Sequence, residues 1–391
     1  MTEGLLLDVL LVAFLVIYAV RGWIDGAGRS LGAVVGALLA GVGGYLLAGV
    51  VGPRIPDPAW RTATTGLLVV GILLAGYLLG AWVGGRIAGR DAEPHRASRV
   101  IGTLVHLVAG GLAVTMLAGA LPTLGVPALI RASSGSVVLR ALESLTPDPV
   151  ADALARARTQ LLAAALPALD LVHPASRTGT AAPIDTGSPE IDRAAASVVR
   201  LSGIAAACSR TLNGSGVIVA SDRVLTNAHV VAGLPDPIIE TRDGQVLVGR
   251  VVYTDPGQDL AVIAAEGLAP APIPLARGLS VGDPGVVQGY PYGGPLAVGT
   301  AQVLGVAAAP LDRIDGAGQS DREFYTLAAT IRPGNSGGPL LTPDGRLAGL
   351  VFATSRDDDA VGYALTPTAL APVIDRAALL TRTVEGTACR M

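Results

Sequence analysis

A four-helix membrane bundle followed by an all-β domain is the fold class predicted for this 391-residue chain, on three observations. Residues 1–121 are almost entirely apolar or glycine, in runs near the length that spans ~30 Å of hydrocarbon. Residues 190–391 instead carry short β-branched runs divided by turn residues, the spacing of a sandwich or barrel. Between them, 122–189 reads as a helical connector ending in a linker rich in Thr, Gly, Ala and Pro.

Four apolar segments make up the first region: 5–20, 31–51, 66–83 and 100–121. A cleaved signal peptide is not expected, since no basic stretch precedes the first segment and further spans follow it. Arg21 and Arg29 fall in the first loop, Arg54 and Arg61 in the second, and Arg86, Arg90, Arg96 and Arg99 in the third. The positive-inside rule then puts loops one and three in the cytoplasm and both termini outside, so the second domain is expected to be exported. Gly32, Gly36, Ala40, Gly44 and Ala48 recur at four-residue steps, as do Gly76, Gly80 and Gly84. Small residues on one face let helices approach closely, so the lipid bilayer and a homo-oligomer packed through these helices are expected partners. Asp8 and His106 are the ionisable residues well inside the segments; they are functional candidates by default, against an interfacial Asp8 and a neutral, packed His106.

In the connector, 136–145 and 150–166 carry apolar residues at helical spacing, broken by Thr146-Pro147-Asp148-Pro149. Every basic residue is Arg, the net charge is -3 and no basic block occurs, which argues against a nucleic-acid partner.

Strands are predicted at 216–220, 223–226, 245–253, 260–264, 285–289, 300–306, 324–328, 339–341, 346–352 and 362–365. Three short motifs stand at the ends of such runs. Gly334-Asn335-Ser336-Gly337-Gly338-Pro339 surrounds a serine with glycines that permit a sharp turn, and the N–H groups of Gly334 and Ser336, with Asn335, could face a developing oxyanion. Thr226-Asn227-Ala228-His229-Val230-Val231 holds the only histidine of the domain, and Gln258-Asp259-Leu260-Ala261-Val262 supplies a carboxylate. A nucleophilic serine needs a base and a group that orients the base, and His229, Asp259 and Ser336 supply those types in one domain. Taken singly, each motif also fits a packed histidine, a turn aspartate or a glycine turn.

Together the three motifs resemble the signatures of the chymotrypsin-like serine proteases, closest to the bacterial HtrA-type branch, over about 195–370. The resemblance implies two six-stranded β-barrels with the active site between them, and no PDZ domain fits in the 55 residues after Ser336. The front half is similar to the colicin V production protein family. The pairing resembles the membrane-anchored acid-resistance serine proteases of mycobacteria and related actinobacteria, which implies a protein or peptide substrate in the cell envelope. Homology further implies a specificity pocket at Thr330, Gly349, Val351 and Ala353, without the acidic residue that selects Arg or Lys.

Cys208 and Cys389 bracket the exported domain and are expected to be bonded, an unlinked pair being the alternative. No cluster of metal ligands occurs, and peptide hydrolysis by this constellation requires no cofactor. A membrane scaffold or transporter whose outer domain only binds is the rival reading, separable by whether Ser336 reacts with a fluorophosphonate.

Overall fold

The computed structural model describes residues 2–51, 54, 58–89, 94–118, 127–147, 149–151, 153–154, 185–205, 210–355 and 358–384. Both cysteines, His173 and most of the predicted 150–166 helix and linker lie outside these residues.

Among the described residues three helices are long and apolar enough to cross a membrane, over 4–48, 67–87 and 96–118, where the sequence predicts four segments. The difference arises in α1 (Thr2–Val51), which is helical throughout except at Gly26, where φ is 67° and ψ 178°. The chain reverses there. Tyr77 of α2 (Pro58–Ile87) hydrogen-bonds His106 of α3 (Arg96–Ala118) at 3.3 Å. Yet Gly36 of α1 packs against Gly76, beside Tyr77, while Tyr18 of α1 lies edge-on to His106, ring centroids 4.7 Å apart. On a straight helix residues 18 and 36 would stand ~27 Å apart, too far for one Tyr–His pair to reach both.

The glycine stripes form the seam between the second part of α1 and α2. A Cβ on Gly32 would lie 2.2 Å from the Gly80 carbonyl oxygen, and one on Gly36 2.1 Å from that of Gly76, so only glycine permits this separation. His106 is buried, with Nδ1 3.2 Å from the Gly102 carbonyl, and fits the packed-histidine reading. Asp8 caps a helix. Its carboxylate accepts the N–H groups of Val137 and Val138, both at 3.1 Å, and the Ser136 hydroxyl, at the start of α5 (Val137–Leu145). Anionic capping satisfies donors that the helix cannot, and fastens α5 to the first span. α4 (Pro127–Gly135) precedes it, as a separate nine-residue helix.

The remaining chain is β-rich. After α6 (Pro189–Ala195) come β1 (Val198–Ala205), β2 (Arg210–Ala220), β3 (Arg223–Thr226), β4 (Ile238–Glu240), β5 (Val246–Val248), β6 (Arg250–Asp255) and β7 (Leu260–Ala264). They form one seven-stranded sheet in the order β5-β4-β1-β2-β3-β7-β6. The predicted single strand over 245–253 is thus two, and since only Gly249 separates the edge strands β5 and β6, the sheet curls until its edges meet. The second half, β8 (Pro284–Gly289), β9 (Ala297–Asp312), β10 (Gln319–Ala328), β11 (Pro339–Leu341), β12 (Leu347–Thr354) and β13 (Val361–Leu365), is a closed six-stranded barrel, β10-β13-β12-β11-β8-β9. Helix α7 (Pro367–Ala377) follows.

Each half has its own core, Val199, Leu201 and Ile263 in the first, Val303, Leu327 and Ala364 in the second. A further buried cluster joins Val217, Leu225 and Val262 of the first to Leu350, Phe352 and Tyr363 of the second. This shared apolar layer fixes the two halves against each other, and with them the loops that meet at the seam.

Candidate active site

His229 sits in a single 3-10 turn, Ala228–Val230, directly after β3. Asp259 immediately precedes β7, which pairs with β3, so the sheet brings the two turns side by side. The His229 N–H donates to Asp259 Oδ1 at 3.0 Å and its Nδ1 lies 2.8 Å from Oδ2. One carboxylate therefore holds both the backbone and the ring of the histidine. Asp259 is fully buried and the His229 side chain is 15% exposed, leaving the ring's far edge accessible. Asp259 has φ of 57°, one of three non-glycine residues in the left-handed region among those described, and its carbonyl accepts from the Asn227 side chain at 3.0 Å. Such strain persists only where surroundings impose it.

Ser336 lies in the turn between β10 and β11, in the second half. Its carbonyl accepts from the Ser215 N–H at 2.8 Å. A Cβ on Gly214 would touch both Val230, beside His229, and the Ser336 carbonyl, so β2 is flanked by the histidine turn and the serine turn. Among the described residues no hydrogen bond joins the Ser336 hydroxyl to His229. The His229–Asp259 pair is assembled, and the serine turn lies across Gly214 from the histidine turn.

The serine turn is held from below. Gly334 has φ of 98° and Gly337 of 81°. Among the described residues the N–H groups of Gly334 and Ser336 donate to nothing, whereas that of Asn335 is taken by the Arg332 carbonyl at 2.9 Å. Free backbone N–H groups at and just before a serine are the type of donor that oxyanion stabilisation uses. The Asn335 side chain turns inward, its Oδ1 buried with no partner among the described residues. Ser215 was not among the sequence candidates. Its hydroxyl donates to the Gly334 carbonyl at 2.7 Å and accepts from the Tyr290 N–H at 2.9 Å, fixing the carbonyl side of the oxyanion turn. Only the Gly214-Ser215-Gly216 triplet could have drawn attention to it.

The pocket residues divide. Thr330 is exposed and Ala353 partly so. Val351 is fully buried in the second core and its backbone bonds Gly337 and Gly338. Gly349 is buried, with the Leu365 carbonyl 2.7 Å from where a Cβ would sit. Both lie inside the second barrel, where Val351 bonds the backbone of the serine turn and Gly349 pairs with Leu340 of β11. Ile331, which packs across Gly362, stands next to Thr330 on the same turn.

Sequence and structure comparisons agree with this geometry. Residues 214–350 match the family description "Trypsin-like peptidase domain" and residues 7–147 match "Colicin V production protein". The serine protease Rv3671c of Mycobacterium tuberculosis is 31% identical over 378 residues, covering 94% of both chains. The putative serine protease HhoA of Synechocystis is 38% identical over 161 residues, 39% of each. The crystal structure of the Rv3671c protease from M. tuberculosis in its active form superposes with a TM-score of 0.52 and 32% identity, over 56% of this chain and 98% of that one. The chain is therefore a member of the trypsin-like serine protease family, joining a colicin V production-type helical region to a chymotrypsin-like endopeptidase domain.

Proposed function

We propose that this serine endopeptidase is anchored by four membrane crossings, faces the outside of the cytoplasm, and cleaves envelope proteins through an acyl-enzyme on Ser336. The observation that carries the mechanism is the doubly hydrogen-bonded His229–Asp259 pair beside a serine flanked by free N–H groups. Ser336 attacks the scissile carbonyl, His229 takes its proton through Nε2 and returns it to the leaving amine, and Asp259 fixes the ring and stabilises the imidazolium. The Gly334 and Ser336 N–H groups receive the oxyanion, a contribution typically worth ~100-fold or more in rate. Substrate binding closes the Ser336–His229 hydrogen bond, since such contacts often tighten only in the bound complex. Thr330, Ile331 and Ala353 face the first substrate side chain and favour a small or apolar one.

The reversal at Gly26 supports counting α1 as two crossings. It puts Arg21, Arg29 and Arg86 at one end of the bundle and the Asp8–Ser136 junction, from which the peptidase domain follows, at the other. Positive charge at the first end assigns it to the cytoplasm. A role in envelope stress, acid exposure included, rests on the family resemblance alone; a deletion strain as acid-tolerant as its parent would remove it.

A fluorophosphonate is expected to label the full-length chain at Ser336, and Ser336→Ala to abolish both labelling and peptide hydrolysis without changing the melting temperature. A folded wild-type protein that resists labelling would favour the non-catalytic binding module instead.

A further inference from the structure

Arg21, Arg29 and Arg86 converge on a cavity of about 180 Å³ at the end of the bundle away from the peptidase domain. The reversal at Gly26 makes this possible, because it brings two arginines eight residues apart in α1 to the same opening as the last turn of α2. Asp25, the carboxylate lining the cavity, is paired with Arg21 at 2.8 Å. Among the described residues Arg29 and Arg86 have no acidic partner.

The Arg86 guanidinium instead lies 4.1 Å from the centroid of the Trp82 ring. The Arg29 side chain runs over Gly85, its Nε 2.8 Å from where a Cβ would be, so glycine at that position lets it lie against α2. Three guanidinium groups thus face one space against a single carboxylate that is already engaged. All three arginines are exposed, and in a headgroup layer such an excess attracts a counter-anion; planar guanidinium groups match phosphate oxygens two at a time. The cavity opens where the apolar spans end, beside a half-exposed tryptophan of the kind found at headgroup depth.

We propose that this cavity binds the phosphate of an anionic phospholipid headgroup, with Arg29 and Arg86 as its principal ligands and Arg21 as a third. The site rests on the membrane-spanning reading of the helices and is independent of the catalytic assignment. A basic pocket between spans on the cytoplasmic side is a recurrent form of headgroup recognition. Here it would also tie the first loop to α2, so that lipid composition bears on the stability of the bundle.

The test is native mass spectrometry of the full-length chain in detergent, titrated with dioleoyl phosphatidylglycerol, dioleoyl phosphatidylcholine or inorganic phosphate. One phosphatidylglycerol should be retained per chain in preference to phosphatidylcholine. Arg29→Gln and Arg86→Gln should each weaken retention by roughly tenfold, the scale of a lost charge-assisted hydrogen bond. Arg29→Lys keeps the charge but not the planar fork and should bind between the wild type and Arg29→Gln, which covers the case in which the glutamine variant misfolds. Arg96→Gln, at the same end of the bundle but outside the cavity, should bind as the wild type does.

Displacement of the lipid by inorganic phosphate with the same arginine dependence would uphold the phosphate site and reassign its source to a soluble anion. Equal retention of the two lipids, or equal losses with Arg29→Gln and Arg96→Gln, would overturn the proposal in favour of diffuse interfacial charge. Retention of neither lipid while fluorophosphonate still labels Ser336 would sink the site and leave the protease reading intact.

Discussion

The Arg322 guanidinium, on β10 of the second barrel, donates through Nε to the carbonyl of Gly257, two residues before Asp259 in the first. Its Nη2 donates to the Asp312 carbonyl at 2.7 Å, its Nη1 is buried with no partner among the described residues, and the residue is 1% exposed. Burial pushes this guanidinium below its usual range, with the charge of Asp259 opposing. A buried cation paired only with carbonyls is costly, and replacing such a group with an apolar one is often close to neutral for stability. Its presence is better explained by position, because it holds the turn that leads directly into Asp259. Arg322→Met is expected to shift the melting temperature by less than about 5 °C. The rate at which fluorophosphonate labels Ser336 should fall roughly tenfold, equivalent to about 1.4 kcal/mol. A collapsed melting temperature with unchanged labelling of the folded fraction would make Arg322 a strut only.

Gly337 answers a steric demand at the nucleophile. A Cβ there would lie 2.1 Å from the Ser215 carbonyl oxygen and 2.2 Å from Thr226 Oγ1, and its φ is 81°. Neither neighbour can yield, since the Thr226 hydroxyl is bonded to that same Ser215 carbonyl at 2.8 Å. Gly337→Ala should cost roughly 2–4 kcal/mol from overpacking and backbone strain together. It should also abolish labelling. Gly299→Ala, on β9 with nothing within 4 Å of the added carbon, is the matched control and should melt within a degree or two of the wild type.

The helix seam makes a similar prediction in the membrane. Gly36→Ala would drive a methyl group to 2.1 Å from the Gly76 carbonyl oxygen, whereas Gly43, in the same helix, meets nothing within 4 Å. Close backbone approach is the source of association between spans, so parting the helices there forfeits packing along the whole stripe. Gly36→Ala should lower the melting temperature of the detergent-solubilised chain or its yield, and Gly43→Ala should do neither. Matching behaviour of the two variants would mean that the seam does not carry the bundle's stability.

How much of this was legible in the sequence depends on whether the signal is local. β3, β7 and β11 fall where alternating or continuous β-branched runs predict them, residue for residue. β1 escapes because Arg200, Ser202 and Gly203 interrupt its apolar pattern, and β4 because three residues carry no period. The contact between His229 and Asp259 could be anticipated because each sits in a distinctive short motif. Ser215 and Arg322 could not, since each works through a backbone carbonyl more than sixty residues away. Apolar runs long enough to span were readable from hydropathy, but their number turns on Gly26, one glycine among many, and only its φ of 67° marks it as the reversal. Val351 and Gly349 illustrate the opposite limit: the family resemblance points to them as pocket residues, and no local signal foretells that both are buried.

Tyr290 links the site to alkaline stability. Its N–H donates to Ser215, its hydroxyl donates to the Val198 carbonyl at 3.3 Å, and the ring is buried. Burial pushes its phenol up to about 12, against the lowering effect of Arg200. An unfolded tyrosine loses its proton near 10, so above that pH the unfolded state holds fewer protons than the folded one. Stability must then fall as pH rises from about 10 towards 12, and is fully present below that window. The difference amounts to something on the order of 2 kcal/mol for this residue. Tyr253 and Tyr325 are raised in the same direction by burial, so the whole alkaline limb does not belong to Tyr290. The comparison that isolates it is Tyr290→Phe, which removes the titrating hydroxyl while leaving the ring and the Ser215 contact. Melting temperatures measured from pH 8 to 11 should draw together for the two proteins, the wild type being ahead at pH 8 and its lead reduced at pH 11. Parallel curves would show that the proton on Tyr290 does not stabilise the fold.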